Sequence, residues 1–253
     1  MKKIFVILLA VLVIMIAAPL AGMFLNVPFS DFYAVLKDDE VITSILLTLR
    51  ASLWSTLAAL IIGVPASFVL ARYDFYGKKI VEGIIDIPVI VPHTAAGIAL
   101  LTVLGRRSLF GQITGISLMG TEAAISTAMF FVSVPFLINH VKTGFRLIDE
   151  RYEKVAVTLG ATGVQTFMLV SLPLVKRAIL SGSVMMWARG ISEFGAVAIL
   201  AYHPMVASVL IYDRYESFGL DYARPVAVLL ISVCLIIFIT LRIIEHKTGK
   251  WNK

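Results

Sequence analysis

Residues 51–71 read ASLWSTLAALIIGVPASFVLA, a run of 21 residues without a charged side chain. A helix needs about 20 mainly apolar residues to cross the roughly 30 Å hydrocarbon core of a bilayer. This run is long enough by itself, and it lacks the strict apolar-polar alternation of strands in a membrane barrel. The stretch therefore predicts a membrane-spanning helix.

The composition of the whole chain agrees with this prediction. Of the 253 residues, 59% are hydrophobic and 15% are charged, whereas charged residues make up about 25% of an ordinary soluble domain. The mean hydropathy is +0.94. So few charges cannot cover a water-exposed surface, so the composition excludes a soluble globular protein. A single cysteine, Cys234, excludes an intrachain disulfide.

Apolar segments on both sides of residues 51–71 extend the pattern to an all-α, polytopic membrane helix bundle that forms one domain over residues 1–253. The six predicted transmembrane helices are residues 4–25, 45–71, 84–105, 122–142, 178–201 and 224–243. Lys2 and Lys3 before the first run also fit a signal peptide. That run is longer than the usual 7–15 apolar residues of a signal peptide, and Pro19 makes a poor cleavage site, so we expect the helix to be retained.

The distribution of basic residues predicts the orientation. If the N-terminus is cytoplasmic, 15 of the 22 Lys and Arg residues fall in cytoplasmic segments and 5 in external ones. Lys and Arg are enriched on the cytoplasmic side of membrane proteins. We therefore expect a multi-pass protein of the cell membrane with both termini in the cytoplasm. The net charge of +6 is explained by topology, and no nucleic-acid partner is expected.

Sequence motifs for catalysis or cofactor binding are absent. The chain has no G-x-x-x-x-G-K-[ST] phosphate loop and no G-x-S-x-G motif, and its four histidines lack the spacing of metal ligands. We therefore expect no enzymatic activity, no metal and no cofactor bound by this chain. Any energy for transport must come from a gradient or from a partner.

The longest predicted cytoplasmic segment contains residues 153–173, EKVAVTLGATGVQTFMLVSLP. Gly160 can end a first helix in the left-handed conformation, and Thr162 can cap a second short helix that runs to about Ser171. Pro173 then opens the next element. The residues alone leave open whether a soluble partner grips this helix-turn-helix or whether it is an interfacial segment without a partner.

This segment resembles the cytoplasmic EAA loop of permease subunits of ABC importers, E-A-A-x3-G-x9-I-x-L-P. The positions that match are Ala156, Gly160, Leu172 and Pro173. The departures are Lys154 in place of the glutamate, with Glu153 one residue earlier, Val155 in place of the first alanine and Val170 in place of the isoleucine.

The resemblance implies an assembly of several subunits in the lipid bilayer. In that family, the loop at residues 143–177 carries a coupling helix that seats in a separate ATP-binding subunit. The implied partners are a second copy of the permease, two ATP-binding subunits that use the ATP, and an extracytoplasmic substrate-binding protein. We expect that protein to dock on residues 106–122 and 202–224. The coupling residues implied by the resemblance are Glu153, Lys154, Val155, Ala156, Thr158, Leu159, Gly160, Leu172 and Pro173.

Within the family, three stretches look most like the molybdate/tungstate permeases: residues 70–72, 87–101 and 187–196. The third is similar to a stretch shared with sulfate permeases, whereas residues 201–205 (AYHPM) resemble the molybdate/tungstate group more narrowly. The resemblance thus implies translocation of a tetrahedral oxyanion into the cytoplasm. The alternatives are a sulfate or thiosulfate permease and, from another class, an ion-coupled carrier or channel without an ATPase.

Arg189 lies near the middle of the predicted fifth span. A charge at that depth costs from about 3 kcal/mol upward and should face the bundle interior or water. Glu193, one helical turn later, can pair with it. The sequence leaves open whether Arg189 lines an anion route or only joins helices, whereas Glu193, which would repel an anion, is better explained as joining helices. The candidate pathway residues are His93, Thr94, Ser133, Asn139, Arg189, Ser192 and Glu193.

Overall fold

The computed structural model describes residues 2–115 and 117–249, and within these ranges the regular structure is helical and contains no strand. Five of the described helices are long and apolar enough to cross a membrane, and a sixth span results if one bent helix pair is counted as a unit. The predicted all-α membrane fold is confirmed. Lys250 and Lys253, which were counted in the orientation argument, lie outside the described residues.

The helices of the described residues are α1 (Lys2–Leu25), α2 (Phe29–Val35), α3 (Asp39–Arg72), α4 (Lys78–Ile90), α5 (His93–Leu104), α6 (Leu109–Thr114), α7 (Glu122–Arg146), α8 (Arg151–Thr158), α9 (Gly163–Thr166), α10 (Leu172–Ile191), α11 (Gly195–Leu200), α12 (Ala207–Phe218) and α13 (Leu220–Gly249). A π-helical turn, Phe167–Ser171, joins α9 to α10. These three elements form one continuous 29-residue helix, Gly163–Ile191, called the long helix below.

The centre of the fold is the packing of α7 between α3 and α10. Small side chains allow the helices to approach closely, as is usual in membrane bundles. A Cβ atom on Gly63 of α3 would lie 3.4 Å from side-chain atoms of Leu137 and Ile138 of α7. The Ser67 hydroxyl donates to the carbonyls of Gly63, at 2.7 Å, and Ile138, at 3.1 Å. This polar contact pins α3 to α7 inside an otherwise apolar interface.

Four predicted spans lie within single helices of the structure: residues 4–25 in α1, 45–71 in α3, 122–142 in α7 and 224–243 in α13. α1 packs at the periphery, and none of its most apolar window is buried. Its exposed apolar surface therefore has to face lipid or another chain.

The third predicted span, residues 84–105, is instead a broken helix. α4 and α5 meet at an angle of 115°. Val91 adopts the extended conformation, with φ −70° and ψ 133°, because the ring of Pro92 disfavours the helical conformation of the preceding residue. Pro88, in contrast, lies inside α4.

The fifth predicted span, residues 178–201, also differs from the structure. The long helix begins 15 residues earlier and ends at Ile191. Residues 192–194 are not helical, and α11 follows them. Arg189 accordingly lies in the last turn of α10 and not in mid-helix. Pro173 does not open a separate helix, because the preceding π-helical turn leads into α10 without a break. The second half of the predicted loop 143–177 is thus part of a membrane-length helix.

Candidate functional site

The coupling segment, defined here as residues 151–162, comprises α8 and the turn after it. Gly160 has φ +91°, which confirms the predicted left-handed conformation. The Gly160 N–H donates to the Val157 carbonyl and the Ala161 N–H to the Ala156 carbonyl, both at 3.0 Å. These two bonds form a Schellman motif, which satisfies the last carbonyls of α8 and turns the chain sharply.

Thr162 caps the next helix, as predicted. Its hydroxyl accepts the Gln165 N–H at 3.3 Å, and the Gln165 side-chain oxygen accepts the Thr162 N–H at 2.8 Å. This reciprocal pair is a capping box. It starts the long helix at Gly163, so the coupling segment is connected to a helix of membrane length through a single tight turn.

Glu153 anchors α8 to the helix bundle. Both of its carboxylate oxygens accept from Arg72 Nε, at 2.9 and 3.0 Å, and one also accepts from the Ser171 hydroxyl at 2.9 Å. The Arg72 guanidinium further donates to the Ile148 carbonyl at 3.2 Å. Side-chain exposure is 6% for Arg72 and 14% for Glu153. These contacts fix α8 to the end of α3 and to the π-helical turn.

The motif position of the glutamate is occupied by Lys154, which points away from the bundle. Its side chain is 74% exposed, and its amino group lies 3.4 Å from a carboxylate oxygen of Glu150. The inward position therefore belongs to Glu153. The sequence signal for this assignment is Arg72, which ends one of the stretches similar to oxyanion permeases and supplies the partner charge.

The rest of α8 presents apolar side chains to solvent. No residue of α8 is buried, and exposure exceeds one half for Tyr152, Val155 and Val157 and reaches 83% for Leu159 at its end. Contiguous exposed apolar side chains on a folded surface are typical of protein-interaction sites. Ala156 is half-buried and Thr158 exposed.

Leu172 and Pro173 lie on the long helix, separate from the coupling segment. Leu172 packs against an apolar cluster that includes Phe145, and Pro173 is exposed. In the same cluster, the ring of Phe68 lies 5.2 Å from that of Phe145 and 5.0 Å from that of Phe167, centroid to centroid. These aromatic contacts form a rigid base beneath the anchored end of α8.

A second polar site, called the charged cluster below, consists of His93, Arg189, Ser192 and Glu193. It forms where both broken helices are interrupted. His93 is the first residue of α5 after the Pro92 break, Arg189 lies in the last turn of α10, and Ser192 and Glu193 lie between α10 and α11. Four of the seven candidate pathway residues are thus in contact.

The charged cluster is a chain of short contacts. Glu193 Oε2 lies 2.8 Å from His93 Nδ1 and 3.2 Å from Arg189 Nη1. Arg189 Nη2 lies 2.7 Å from His93 Nε2, and its Nη1 donates to the Ser192 hydroxyl at 3.4 Å. Arg189 Nη2 also lies 2.9 Å from His93 Nδ1, so the guanidinium lies against both ring nitrogens.

Glu193 is completely buried and serves the backbone as well as the cluster. Its Oε1 accepts the Ala196 N–H at 3.0 Å, which caps α11, and its carbonyl accepts the Ser208 hydroxyl at 2.7 Å. A Cβ on Gly195 would lie 2.9 Å from that of His93, so the close approach of α11 to α5 requires glycine there. The carboxylate is therefore fixed by its surroundings.

The remaining candidate pathway residues are placed differently. Thr94 is exposed next to His93, whereas Ser133 is fully buried in α7. Asn139 of α7 donates to Asp86 Oδ1 of α4 at 2.6 Å. The charged cluster does not include Ser133 or Asn139.

A cleft of about 750 Å³ opens between α4, α7 and α10. Asp86, Asn139, His140 and Thr143 contribute its polar side chains, and most of its surface is apolar, including Ile90 and Met185.

The two segments expected to receive a binding protein are in contact. A Cβ on Gly120 would lie 3.3 Å from the His203 carbonyl oxygen, and the Gly120 N–H donates at 3.4 Å to the carbonyl of Leu200, just before the second segment. The second of these segments also contains Arg214 of α12, which donates to Asp38 at 2.7 Å. Burial opposes ionisation of Asp38, but this hydrogen bond and the charge of Arg214 outweigh it and hold the pKa of the carboxyl below its ordinary value.

Sequence comparisons identify a family of transport proteins. Residues 63–250 match the model of the binding-protein-dependent transport system inner membrane component. A molybdate/tungstate transport system permease protein of Pyrococcus abyssi is 39% identical over 233 residues, covering 91% of this chain and 90% of the relative. Its counterpart in Methanocaldococcus jannaschii is 40% identical, covering 85% and 86%. A probable sulfate transport system permease protein of Chlorokybus atmophyticus is 31% identical, covering 86% and 78%.

Solved structures share the fold. A chain of a bacterial alginate ABC transporter, in complex with a periplasmic protein bound to an alginate pentasaccharide, superimposes with a TM-score of 0.80 at 16% identity, covering 98% of this chain and 96% of that one. A chain of the inward-facing MetNI methionine ABC transporter gives a TM-score of 0.67 at 17% identity, covering 82% and 95%.

Proposed function

The chain belongs to the family of inner membrane components of binding-protein-dependent transport systems, and from this premise we propose that it is the permease subunit that carries molybdate or tungstate into the cytoplasm. Support for the substrate comes from relatives. Those named for molybdate/tungstate transport are 39–41% identical, and those named for sulfate transport are 28–31% identical. Both groups handle tetrahedral dianions, so the same general route suits either.

The observation that carries the proposal is the coupling segment. Its helix α8 is held to the bundle by Glu153 and Arg72, while Tyr152, Val155 and Leu159 are exposed. In this proposal, the exposed side chains insert into an ATP-binding subunit, and the ion pair transmits the movement of that subunit to the membrane helices. Lys154, exposed beside them, supplies a charged contact at the rim.

The long helix provides a direct mechanical route. With a rise of about 1.5 Å per residue, its 29 residues extend for about 43 Å, which exceeds the hydrocarbon thickness. One end follows the turn of the coupling segment, and the other end carries Arg189. Because a helix is stiff along its axis, a displacement of α8 is transmitted to the charged cluster.

The proposed assembly contains two copies of this chain, two ATP-binding subunits and a substrate-binding protein. The substrate-binding protein is proposed to dock on residues 106–122 and 202–224, whose contact at Gly120 and His203 makes them one surface. Both termini and the coupling segment are assigned to the cytoplasm by the excess of basic residues there.

Uptake by reconstituted vesicles tests the function. Vesicles that contain this chain, its ATPase and the binding protein should take up labelled molybdate and tungstate when ATP is supplied, and sulfate should compete poorly. Preferential uptake of sulfate would support the sulfate permease instead. Saturable uptake without ATP or the ATPase would contradict the importer and favour a carrier or channel.

Cysteine labelling tests the orientation. In a Cys234→Ser background, Ser217→Cys in α12 should react with an impermeant maleimide in intact cells, and Thr162→Cys should react only after the cells are opened. Both positions are exposed in the structure, so accessibility within the fold does not limit the reaction. Reaction of Thr162→Cys in intact cells would reverse the assignment.

A further inference from the structure

The cleft between α4, α7 and α10 lies along two helices that end at the charged cluster. Met185 of α10 lines the cleft, and Arg189 lies four residues later, on the same face of that helix. Ile90 of α4 also lines the cleft, and His93 follows directly after the break at Pro92. The helices that form two walls of the cleft therefore both end at the cluster.

The members of the charged cluster differ in exposure. The side chain of His93 is 38% exposed and that of Arg189 is 22% exposed, and Ser192 is exposed. Glu193, in contrast, is completely buried behind them. A solute that reaches the cluster meets the guanidinium of Arg189, and the carboxylate is out of its reach. The Ser192 hydroxyl is already used within the cluster, because it donates to the Arg189 carbonyl at 3.0 Å.

We propose that the charged cluster is the contact site of the tetrahedral oxyanion during transit, with the Arg189 guanidinium as the contacting group and with Glu193, His93 and Ser192 as positioning residues. This inference rests on the proposed function and specifies the residues for it. A guanidinium presents five N–H donors in a planar fork that suits the oxygen atoms of such anions. Among the described residues its partners are His93, Ser192 and Glu193, which leaves donors for a ligand.

Glu193 orients Arg189 in two ways. It contacts the guanidinium directly, and it also holds His93, whose Nε2 lies beside Arg189 Nη2. Because the Ala196 N–H fixes this carboxylate, it cannot swing out when an anion arrives. The guanidinium is thereby kept in one orientation at the end of the cleft.

Glu193 also keeps the contact weak. Its negative charge offsets the positive charge of Arg189, so the cluster as a whole attracts a dianion less than an isolated guanidinium would. Asp86 adds a second carboxylate along the cleft. A transporter requires this weakness, because an anion that is held tightly in transit is released slowly.

The experiment uses the complete complex of permease, ATPase and binding protein in vesicles, with Arg189→Gln and Glu193→Gln as variants. Arg50→Gln is the matched control, because Arg50 is also paired with a glutamate, Glu122, but lies outside the cluster. Arg189→Gln should lower tungstate uptake at least tenfold while the ATPase still co-purifies. Arg50→Gln should remain within twofold of the wild type.

Retention of labelled tungstate by the purified complex, without the binding protein, is the second measurement. Glu193→Gln keeps an oxygen for the Ala196 N–H but removes the counter-charge, so it should retain at least threefold more tungstate than the wild type. Normal uptake by Arg189→Gln, or a loss of uptake that merely follows loss of assembly, would overturn the inference. If Arg189→Gln does not assemble, retention by Glu193→Gln decides, and unchanged retention overturns it. A wild-type complex that transports no oxyanion would instead refute the proposed function.

Discussion

The two ends of the long helix carry the same chemical pair in opposite settings. Near the first end, Arg72 donates directly to Glu153, which also accepts from the Ser171 hydroxyl of the long helix. At the second end, Arg189 and Glu193 are joined by His93, with Ser192 beside them. In the first pair the guanidinium is the more buried partner, at 6% exposure against 14%. In the second the carboxylate is the more buried, at 0% against 22%.

This difference distinguishes an arginine that holds helices together from an arginine that remains accessible to a ligand. A buried guanidinium that bonds a carboxylate and a backbone carbonyl has no surface left for a ligand, so the Arg72 pair fastens α8 to the bundle. An accessible guanidinium backed by a fixed carboxylate keeps its orientation while it remains open to a solute. Exposure, more than residue type, thus decides what each pair can do.

The largest effect is expected at the buried pair. Glu153→Gln leaves the Arg72 charge unpaired in a buried position, which costs about 3 kcal/mol or more, and α8 should detach from the bundle. The variant should melt at a lower temperature in detergent and should lose the ATPase on purification. Lys154→Gln, one residue away but exposed, is the control and should lose less than about 1 kcal/mol. Equal melting temperatures for the two variants would show that the anchor is not structural.

The next largest effect is expected where α11 packs against α5, beside the charged cluster. Gly195→Ala adds a Cβ 2.9 Å from that of His93, and such overpacking costs typically about 1–3 kcal/mol. We expect lower thermal stability and reduced uptake with the ATPase still bound. Gly22→Ala, which meets no atom within 4 Å, controls for the added methyl group. An unchanged Gly195→Ala variant would mean that α11 and α5 separate freely.

A smaller effect is expected in the turn of the coupling segment. Gly160→Ala forces a side chain into the left-handed conformation at a cost of about 1 kcal/mol, without a clash, since no atom lies within 4 Å. ATP hydrolysis should become less dependent on substrate, while membrane insertion survives. Gly163→Ala, in the adjoining helix and equally uncrowded, should be neutral or slightly stabilising. Normal coupling in Gly160→Ala would contradict the role of this turn.

The smallest effect is expected at the exposed pair of Arg50 and Glu122. The Arg50 side chain is 63% exposed and donates to Glu122 across α3 and α7. Exposed ion pairs contribute little to stability, so Arg50→Gln should shift the melting temperature only slightly. A shift in melting temperature as large as that of Glu153→Gln would contradict the proposal that the exposure of an arginine pair determines its role.

Local signals in the sequence were sufficient for the coupling segment. The left-handed Gly160 and the cap at Thr162 depend on residues within a few positions, and both predictions are confirmed. The anchor was harder to assign. Adjacent residues on a helix point about 100° apart, so the choice between Glu153 and Lys154 depends on where Arg72 lies in space, which the motif does not contain.

Apolar composition alone does not predict the two helix interruptions. Composition measures whether a segment can cross the membrane, and it assigned residues 178–201 to one span because most of them are apolar. The helix is interrupted at residues 192–194. There Glu193 caps α11 and contacts His93, about one hundred residues away in sequence. Pro92 did signal a disruption in α4–α5, but the 115° bend is set by the packing of α5 against α11.

Assembly and flux measured together on two variants test the central claim most directly. The account assigns ATPase attachment to the first end of the long helix and anion contact to the second. Glu153→Gln complexes should therefore lose the co-purifying ATPase. Arg189→Gln complexes should retain the ATPase in wild-type amount and take up at least tenfold less tungstate. Loss of the ATPase from Arg189→Gln, or wild-type uptake by Glu153→Gln, would contradict the account.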